Sequence, residues 1–235
     1  MTTIKIAGLP IGIIHKYERM KLMSSRYITD EEPLFVVSAT EEEIKTERER
    51  ANDLTLGDDY FESIAIYRNI ADRLPEYDAF LFHGAAIEYR KKAYIITANS
   101  GVGKTTHIRL WHSRFADEVG IINGDKPIVR IIDGIAYAFG TPWQGKENYG
   151  KNTSAPIGGI AFLNRGEVNK AFPLSAGEAV MPFMSQIYLP QGSGKAMSKT
   201  LLLADKILST VRLVKLECNM QPEAAEICRA ALLGE

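Results

Sequence analysis

The stretch at residues 98–106 reads Ala98-Asn99-Ser100-Gly101-Val102-Gly103-Lys104-Thr105-Thr106. Residues 92–97 before it are apolar and β-branched, as in a buried strand, and apolar residues recur at helical spacing after it. A glycine-rich turn between a buried strand and a helix, closed by Gly-Lys-Thr, is typical of a loop that binds phosphate groups. The sequence therefore predicts a phosphate-binding loop here.

The positions of this loop have distinct chemical roles. Gly101 and Gly103 let the backbone turn tightly, so that its N–H groups face phosphate oxygens at the positive end of the helix. Lys104 adds a positive charge over the terminal phosphates, and the hydroxyl of Thr105 can bind a magnesium ion. We assign nucleotide binding to eight residues: Asn99, Ser100, Gly101, Val102, Gly103, Lys104, Thr105 and Thr106.

One position departs from the GxxxxGK[ST] pattern, because Ala98 stands where the first glycine is expected. Alanine fits there if its backbone φ is negative. The alternative to a phosphate-binding loop is a glycine-rich turn that binds nothing.

The composition is that of an ordinary globular protein, with 46% hydrophobic and 24% charged residues. A net charge of -1 gives no broad basic field, so nucleic acid is not expected as a partner. No apolar run approaches the roughly eighteen residues needed to span a bilayer, and the first residues lack the features of a signal peptide. We therefore expect a cytoplasmic protein without a membrane partner.

The chain divides into two predicted parts. Residues 1–76 carry a hairpin, a capped charged helix from Thr40 and an amphipathic helix that ends at Pro75, which predicts a small N-terminal α+β extension. Residues 77–235 alternate apolar strands with helices around the predicted loop. We expect an α/β fold there, with a mixed sheet flanked by helices.

Two further residues lie where they could act on a nucleotide. Asp125 follows the apolar strand 119–123, where an aspartate of the Walker-B type would reach a metal ion. His83 lies on the strand next to the one that enters the loop, so it could stand beside the phosphates. The alternatives are an aspartate in a simple turn and a structural histidine. The cations available to neutralise phosphate charge are Arg109, Lys146, Lys151 and Arg165, and the alternative for each is an ordinary surface charge.

The order His83-Gly84, a strand, Asn-Ser-Gly-Val-Gly-Lys-Thr-Thr and Gly124-Asp125 resembles that of HPr kinase/phosphorylase and ATP-dependent phosphoenolpyruvate carboxykinase. The chain looks still more like small bacterial HPr-kinase-like proteins, also called serine kinases. That likeness extends over the whole chain and includes the stretches Thr29-Asp30-Glu31-Glu32-Pro33, Thr106-His107-Ile108-Arg109-Leu110-Trp111, Gly140-Thr141-Pro142-Trp143 and Cys218-Asn219-Met220. This resemblance implies that Lys104 and Thr105 bind phosphate and magnesium. It implies that Asp125 is the metal ligand or base, and that His83 assists at the γ-phosphate.

Some features depart from this resemblance. Both families carry paired aspartates at the second site, whereas Gly124 here leaves Asp125 alone, unless Glu88 or Glu147 shares its work. The glutamate-bearing signature of HPr kinases is missing, and the chain is too short for a full carboxykinase. HPr kinases assemble through their catalytic domain, so the resemblance leaves room for a homo-oligomer.

The sequence thus predicts an HPr-kinase-like phosphotransferase that uses ATP and Mg²⁺. It would move the γ-phosphate to a hydroxyl of a protein, a modified peptide or a small metabolite. The predicted catalytic residues are Asp125, His83 and Lys104, and the predicted metal ligands are Thr105 and Asp125. The alternative is a catalytically inactive module that binds or senses a nucleotide.

Overall fold

The computed structural model describes residues 1–51, 53, 55–99 and 101–235, which form two sheets flanked by helices. The strands are β1 (Thr2–Ile6), β2 (Leu9–Ile13), β3 (Phe35–Val37), β4 (Ala79–Leu81), β5 (Ala85–Tyr89), β6 (Lys92–Thr97), β7 (Val119–Asn123), β8 (Ile128–Ile132), β9 (Ile135–Phe139), β10 (Ser154–Arg165), β11 (Lys170–Pro173) and β12 (Arg212–Cys218). The α-helices are α1 (Glu18–Met23), α2 (Glu41–Arg50), α3 (Asp58–Arg73), α4 (Lys104–Phe115), α5 (Ala176–Met184), α6 (Gly194–Thr210) and α7 (Glu223–Leu233). Within these ranges, no helix is both long and apolar enough to cross a membrane.

The N-terminal part contains the smaller sheet, in the order β1-β2-β3. The hairpin of β1 and β2 is antiparallel, and β3 lies parallel to β2. The capping box that the sequence predicts is present, since the Thr40 side chain accepts from the Glu43 N–H and the Glu43 carboxylate accepts from the Thr40 N–H. Helix α3 buries Phe61, Ile66 and Ile70 along one side, as its amphipathic pattern predicts.

The larger sheet is organised by β10, a strand of 12 residues. Its first three residues pair antiparallel with β9, and its remainder runs parallel to β6 on one side and to β12 on the other. A shift in register between Ile157 and Gly159 marks the change from one set of neighbours to the next. The sheet is therefore mixed, as predicted.

Both faces of this sheet are covered by helices. Along β6, Ala93 and Ile95 join the core under α5 and α6, whereas Tyr94 and Ile96 join the core under α4 and α7. A strand buried on both faces reads as a continuous apolar run, which is why 92–97 gave a clear signal. The predicted α/β architecture is confirmed by this arrangement.

A third core joins the two predicted parts of the chain. It contains residues of the small sheet and α3 together with Leu81, Ile128 and Trp143 from beyond residue 76. The indole N–H of Trp143 donates to the Ser63 carbonyl oxygen at 3.0 Å, and its ring lies 4.5 Å from that of Tyr67, measured between centroids. The division at residue 76 stays a prediction, and the core of the N-terminal part extends across it.

Candidate nucleotide-binding and catalytic site

Residues 98–103, here called the glycine loop, connect the end of β6 to the start of α4. Gly101 and Gly103 have φ values of +78° and +130°, which non-glycine residues rarely adopt. A Cβ atom added to either would meet no described atom within 4 Å, so backbone conformation rather than space requires glycine. Ala98 is not among the described residues with positive φ, so alanine fits in place of the first glycine. Ser100, a predicted nucleotide-binding residue, lies outside the described residues.

Two cations hold the glycine loop through its carbonyl groups. Arg165, the last residue of β10, donates from Nη2 to the Gly101 oxygen at 2.6 Å and from Nε to the Val102 oxygen at 3.2 Å. Lys104 donates from Nζ to the Ala98 oxygen at 2.9 Å. Burial lowers the pKa of Lys104, and the charge of Asp125 partly offsets this effect. Arg165, one of the four cations that the sequence offers for phosphate, thus contacts the loop carbonyls.

Asp125 is positioned by the side chain of Asn123, the last residue of β7. The Asn123 Oδ1 accepts from the N–H groups of Asp125 and Lys126, at 2.9 and 2.6 Å. Its Nδ2 donates to the hydroxyl of Thr141 at 3.0 Å, and the residue is fully buried. Asparagine bonding to the backbone two and three residues ahead builds a turn, and this turn places Asp125. This role of Asn123 was not among the sequence predictions, although Asn-Gly-Asp after an apolar strand is a signal for such a turn.

The carboxylate of Asp125 lies beside His83 and Lys126. Its Oδ1 is 3.5 Å from His83 Nε2, and its Oδ2 is 3.9 Å from Lys126 Nζ. Burial acts to raise the pKa of Asp125, but contact with His83 and the charges of Lys126 and Lys104 outweigh it and lower that pKa. Asp125 is therefore ionised at neutral pH, as a ligand for a hard cation must be.

Gly124 leaves little room for a second aspartate. A Cβ atom added there would lie 3.0 Å from the Gln144 carbonyl oxygen and 3.1 Å from that of Tyr149. Of the two acids that could share the work of Asp125, Glu88 pairs with Ala93 near the start of β6, at the end far from the glycine loop. Glu147 lines the same groove as Asp125, with its carboxylate 3.8 Å from Arg109 Nη2.

The predicted catalytic residues line one groove of about 1000 Å³ that is open to solvent. His83, Lys104 and Asp125 lie along it together with Thr105. The opposite wall comes from α3 and from the segment 142–148, which carries Lys146. Among the described residues, no group of three or more His, Cys, Asp or Glu side chains could hold a metal ion. Magnesium commonly takes one or two protein oxygens plus phosphate and water, so Thr105 and Asp125 fit it.

A second cavity of about 440 Å³ lies on the other side of the glycine loop. Val102 and Thr106, both predicted to bind nucleotide, line it together with the apolar side chains of Leu110 and Leu163. His107 lines it as well. Of the other predicted residues, Gly101 and Gly103 border both spaces, and Asn99 lies against Gln186, with 3.4 Å between Asn99 Oδ1 and Gln186 Nε2.

His107 is a buried histidine in its neutral form. The indole N–H of Trp111 donates to its Nε2 at 3.1 Å, so Nδ1 carries the proton. Nδ1 has no hydrogen-bond partner within the described part of the chain. Burial lowers the pKa of His107 to about 4.

No protein-family model matches the chain, and no curated protein sequence does either. Among solved structures, the HPr(Ser) kinase/phosphatase from Coxiella burnetii is similar, with a TM-score of 0.41 and 9% sequence identity. The match covers 66% of this chain and 97% of that chain. The predicted family membership and residue roles therefore stay proposals, which depend on the contacts described above.

Substituting Gly124→Asp should destabilise the fold by about 1–3 kcal/mol, because the new side chain meets two backbone carbonyls that cannot move independently. Chemical unfolding would measure this loss. Gly177→Asp is the matched control, since an added Cβ there meets no described atom within 4 Å. If the Gly124→Asp protein were as stable as the control, the backbone of the segment 142–149 would have to move aside at little energetic cost.

The free energy of unfolding should fall as the pH is lowered from about 7 towards 4. The unfolded chain takes up a proton on His107 near its ordinary pKa of 6.5, whereas the folded chain does so only near 4. This difference in proton uptake lowers the free energy of unfolding by about 3 kcal/mol over that pH range. His107→Gln should remove this part of the pH dependence, and His112→Gln, an exposed change on the same helix, should not. Equal pH dependence in both variants would contradict the assignment.

Proposed function

We propose that the protein transfers the γ-phosphate of ATP to a hydroxyl group in a reaction that needs Mg²⁺. The observation that carries the proposal is the shared groove. Lys104 and Thr105 lie at the start of the helix that follows the glycine loop, and the ionised Asp125 lines the same groove beside His83. A helix N-terminus, a lysine and a carboxylate are the parts that phosphoryl transfer uses to position and neutralise phosphate groups.

The donor nucleotide would extend to both sides of the glycine loop. The N–H groups of the loop and Lys104 hold the β- and γ-phosphates at the groove. Thr106 lines the second cavity, so the nucleoside lies there against Leu110 and Leu163. A cavity of about 440 Å³ falls within the size range of small-ligand sites, and its apolar walls suit a base.

The acceptor hydroxyl would enter the open groove. Its oxygen forms a bond to the γ-phosphorus while the bond from that phosphorus to the bridging oxygen of ADP breaks. The proton of the hydroxyl passes to the pair of Asp125 and His83, whose facing atoms lie 3.5 Å apart. Magnesium, held by Thr105 and Asp125, would neutralise charge on the phosphates.

The shape of the groove bears on the acceptor. It is open to solvent along the segment 142–148, and its far wall includes Tyr60 and Ile64 of α3. An open groove with apolar and charged walls favours a peptide or protein hydroxyl over a small metabolite, which a closed pocket would enclose.

Wild-type protein should transfer label from γ-labelled ATP to one member of a panel of serine-containing peptides, free serine and sugars. Lys104→Ala and Asp125→Asn should each lower the rate by about 100-fold or more, because they remove charges that act in the transition state. Lys195→Ala and Asp205→Asn, both exposed and remote from the groove lining, are the matched controls.

The outcome separates two candidate functions. ATP binding without transfer, unaffected by Asp125→Asn, would contradict the kinase and favour the inactive nucleotide-binding module, which the lone acid beside Gly124 makes the second candidate. Absence of nucleotide binding would contradict both.

Filling the second cavity should weaken ATP binding without affecting binding of inorganic tripolyphosphate. Leu110→Trp would occupy the space of the nucleoside. A loss of about 1.4 kcal/mol in binding free energy would raise the dissociation constant for ATP about tenfold. Isothermal titration calorimetry with both ligands would measure this, and Leu202→Trp on the exposed face of α6 is the matched control. Equal weakening of both ligands, or of neither, would place the nucleoside elsewhere.

A further inference from the structure

We propose that Gln186 is a positioning residue that holds the His83 ring with its proton on Nδ1 and with Nε2 turned towards Asp125. Among the described residues predicted to bind phosphate or metal, Gln186 contacts Asn99 alone, so we expect it to act through His83. The catalytic part of this inference depends on the proposed phosphoryl transfer. The assignment of the ring proton depends only on the contacts around the ring.

The backbone fixes Gln186 opposite His83, although the two residues are 103 positions apart. The His83 N–H donates to the Gln186 carbonyl oxygen at 2.8 Å, and the Tyr188 N–H donates to the Leu81 oxygen at 3.1 Å. Between them, Phe82 and Ile187 form an antiparallel bridge. Residues 186–188, which follow α5, thus pair antiparallel with residues 81–83 at the end of β4 and beside the groove.

The orientation of the Gln186 amide follows from its neighbours. The hydroxyl of Ser185 donates to the Pro182 carbonyl oxygen at 2.8 Å, so the Ser185 oxygen is left to accept. It lies 2.9 Å from Gln186 Nε2, which therefore is the amide nitrogen that donates to it. The other amide atom, Oε1, lies 3.0 Å from His83 Nδ1. Because an amide oxygen only accepts, Nδ1 must carry the proton.

With Nδ1 bonded to Gln186, Nε2 is the ring nitrogen that exchanges a proton at the groove. In the charged ring it shares a proton with the carboxylate of Asp125, and in the neutral ring it accepts one from a hydroxyl. Nε2 lies 3.5 Å from Asp125 Oδ1, and both residues line the groove. Two hydrogen-bond acceptors side by side can bind one hydroxyl donor. The hydroxyl of the substrate that receives the phosphate is such a donor. Gln186 is only 6% exposed, so water competes little for its hydrogen bonds. Without Gln186, the ring could rotate and present a donor to the groove.

The ring proton can be observed directly. Long-range ¹H–¹⁵N spectra of protein labelled at its four histidines, at a pH where the rings are neutral, distinguish Nδ1–H from Nε2–H. His83→Gln identifies the His83 signals by their loss. We expect Nδ1–H at His83 in the wild type and in Gln186→Glu, which keeps an accepting oxygen. We expect a mixture of the two tautomers in Gln186→Ala. Gln191→Ala changes an exposed glutamine nearby and should resemble the wild type.

The kcat values should separate Gln186→Ala from the wild type and from Gln186→Glu, as the tautomers do. Gln186→Ala should lower kcat by about 10- to 100-fold, as loss of a partner that orients a functional histidine typically does, with the dissociation constant for ATP unchanged. Gln186→Glu should restore most of kcat. If Gln186→Ala fails to fold, Ser185→Ala removes the anchor of the amide and should give the same mixture of tautomers.

The two readouts separate this inference from the proposed function. An unchanged His83 tautomer in Gln186→Ala would overturn the inference, whether or not phosphate is transferred. A changed tautomer with unchanged kcat would overturn its catalytic part. A changed tautomer in a protein whose wild type transfers no phosphate would uphold the positioning role and reject the proposed function.

Discussion

The parallel pairing of β10 with β6 sets the position of the glycine loop and of the strands around it. It aligns Phe162 with Thr97, the last residue before the glycine loop. Arg165 then extends past the end of that pairing, to the point where its guanidinium meets the loop carbonyls. The same strand pairs with β9 at its start and with β12 from Gly159 onward, so the loop is braced by the centre of the sheet. The glycine loop, with positive φ at Gly101 and Gly103, is held in one shape by these contacts.

The surroundings of Asp125 show how a site with one acid can be organised. Asn123 sets the turn, and Gly124 lets the segment 142–149 close over it. Gly145 approaches Asp125 so closely that an added Cβ would lie 3.1 Å from the Asp125 Cβ. Positive groups around the carboxylate lower its pKa despite burial. A second aspartate at position 124 would press against the carbonyl oxygens of Gln144 and Tyr149.

Local features of the fold could be predicted from the sequence, because they depend on neighbouring residues. The strand before the glycine loop, the capping box at Thr40 and the need for glycine at 101 and 103 all follow from short-range rules. Short elements gave no such signal. Helix α1 has 6 residues and β11 has 4, too few for a period to stand out.

The partners of the candidate site could not be predicted, because they come from distant parts of the chain. Gln186 reaches His83 across 103 positions, and Arg165 reaches Val102 across 63. Nothing in the residues around Gln186 distinguishes it from a surface glutamine. Its burial and its pairing with β4 arise only when α5 packs under the sheet. The roles assigned to the loop residues, His83 and Asp125 stay predictions.

The anchoring of Trp143 in the core of the N-terminal part limits how this protein could be shortened. A fragment that began after residue 76 would expose Leu81, Ile128 and Trp143 to water together. It would also free the segment that forms one wall of the groove, since the Ser63 carbonyl that receives the indole N–H would be gone. Such a fragment would expose an apolar surface prone to aggregation, next to a groove wall that has lost its anchor. The N-terminal part is thus a structural support of the groove rather than a removable appendage.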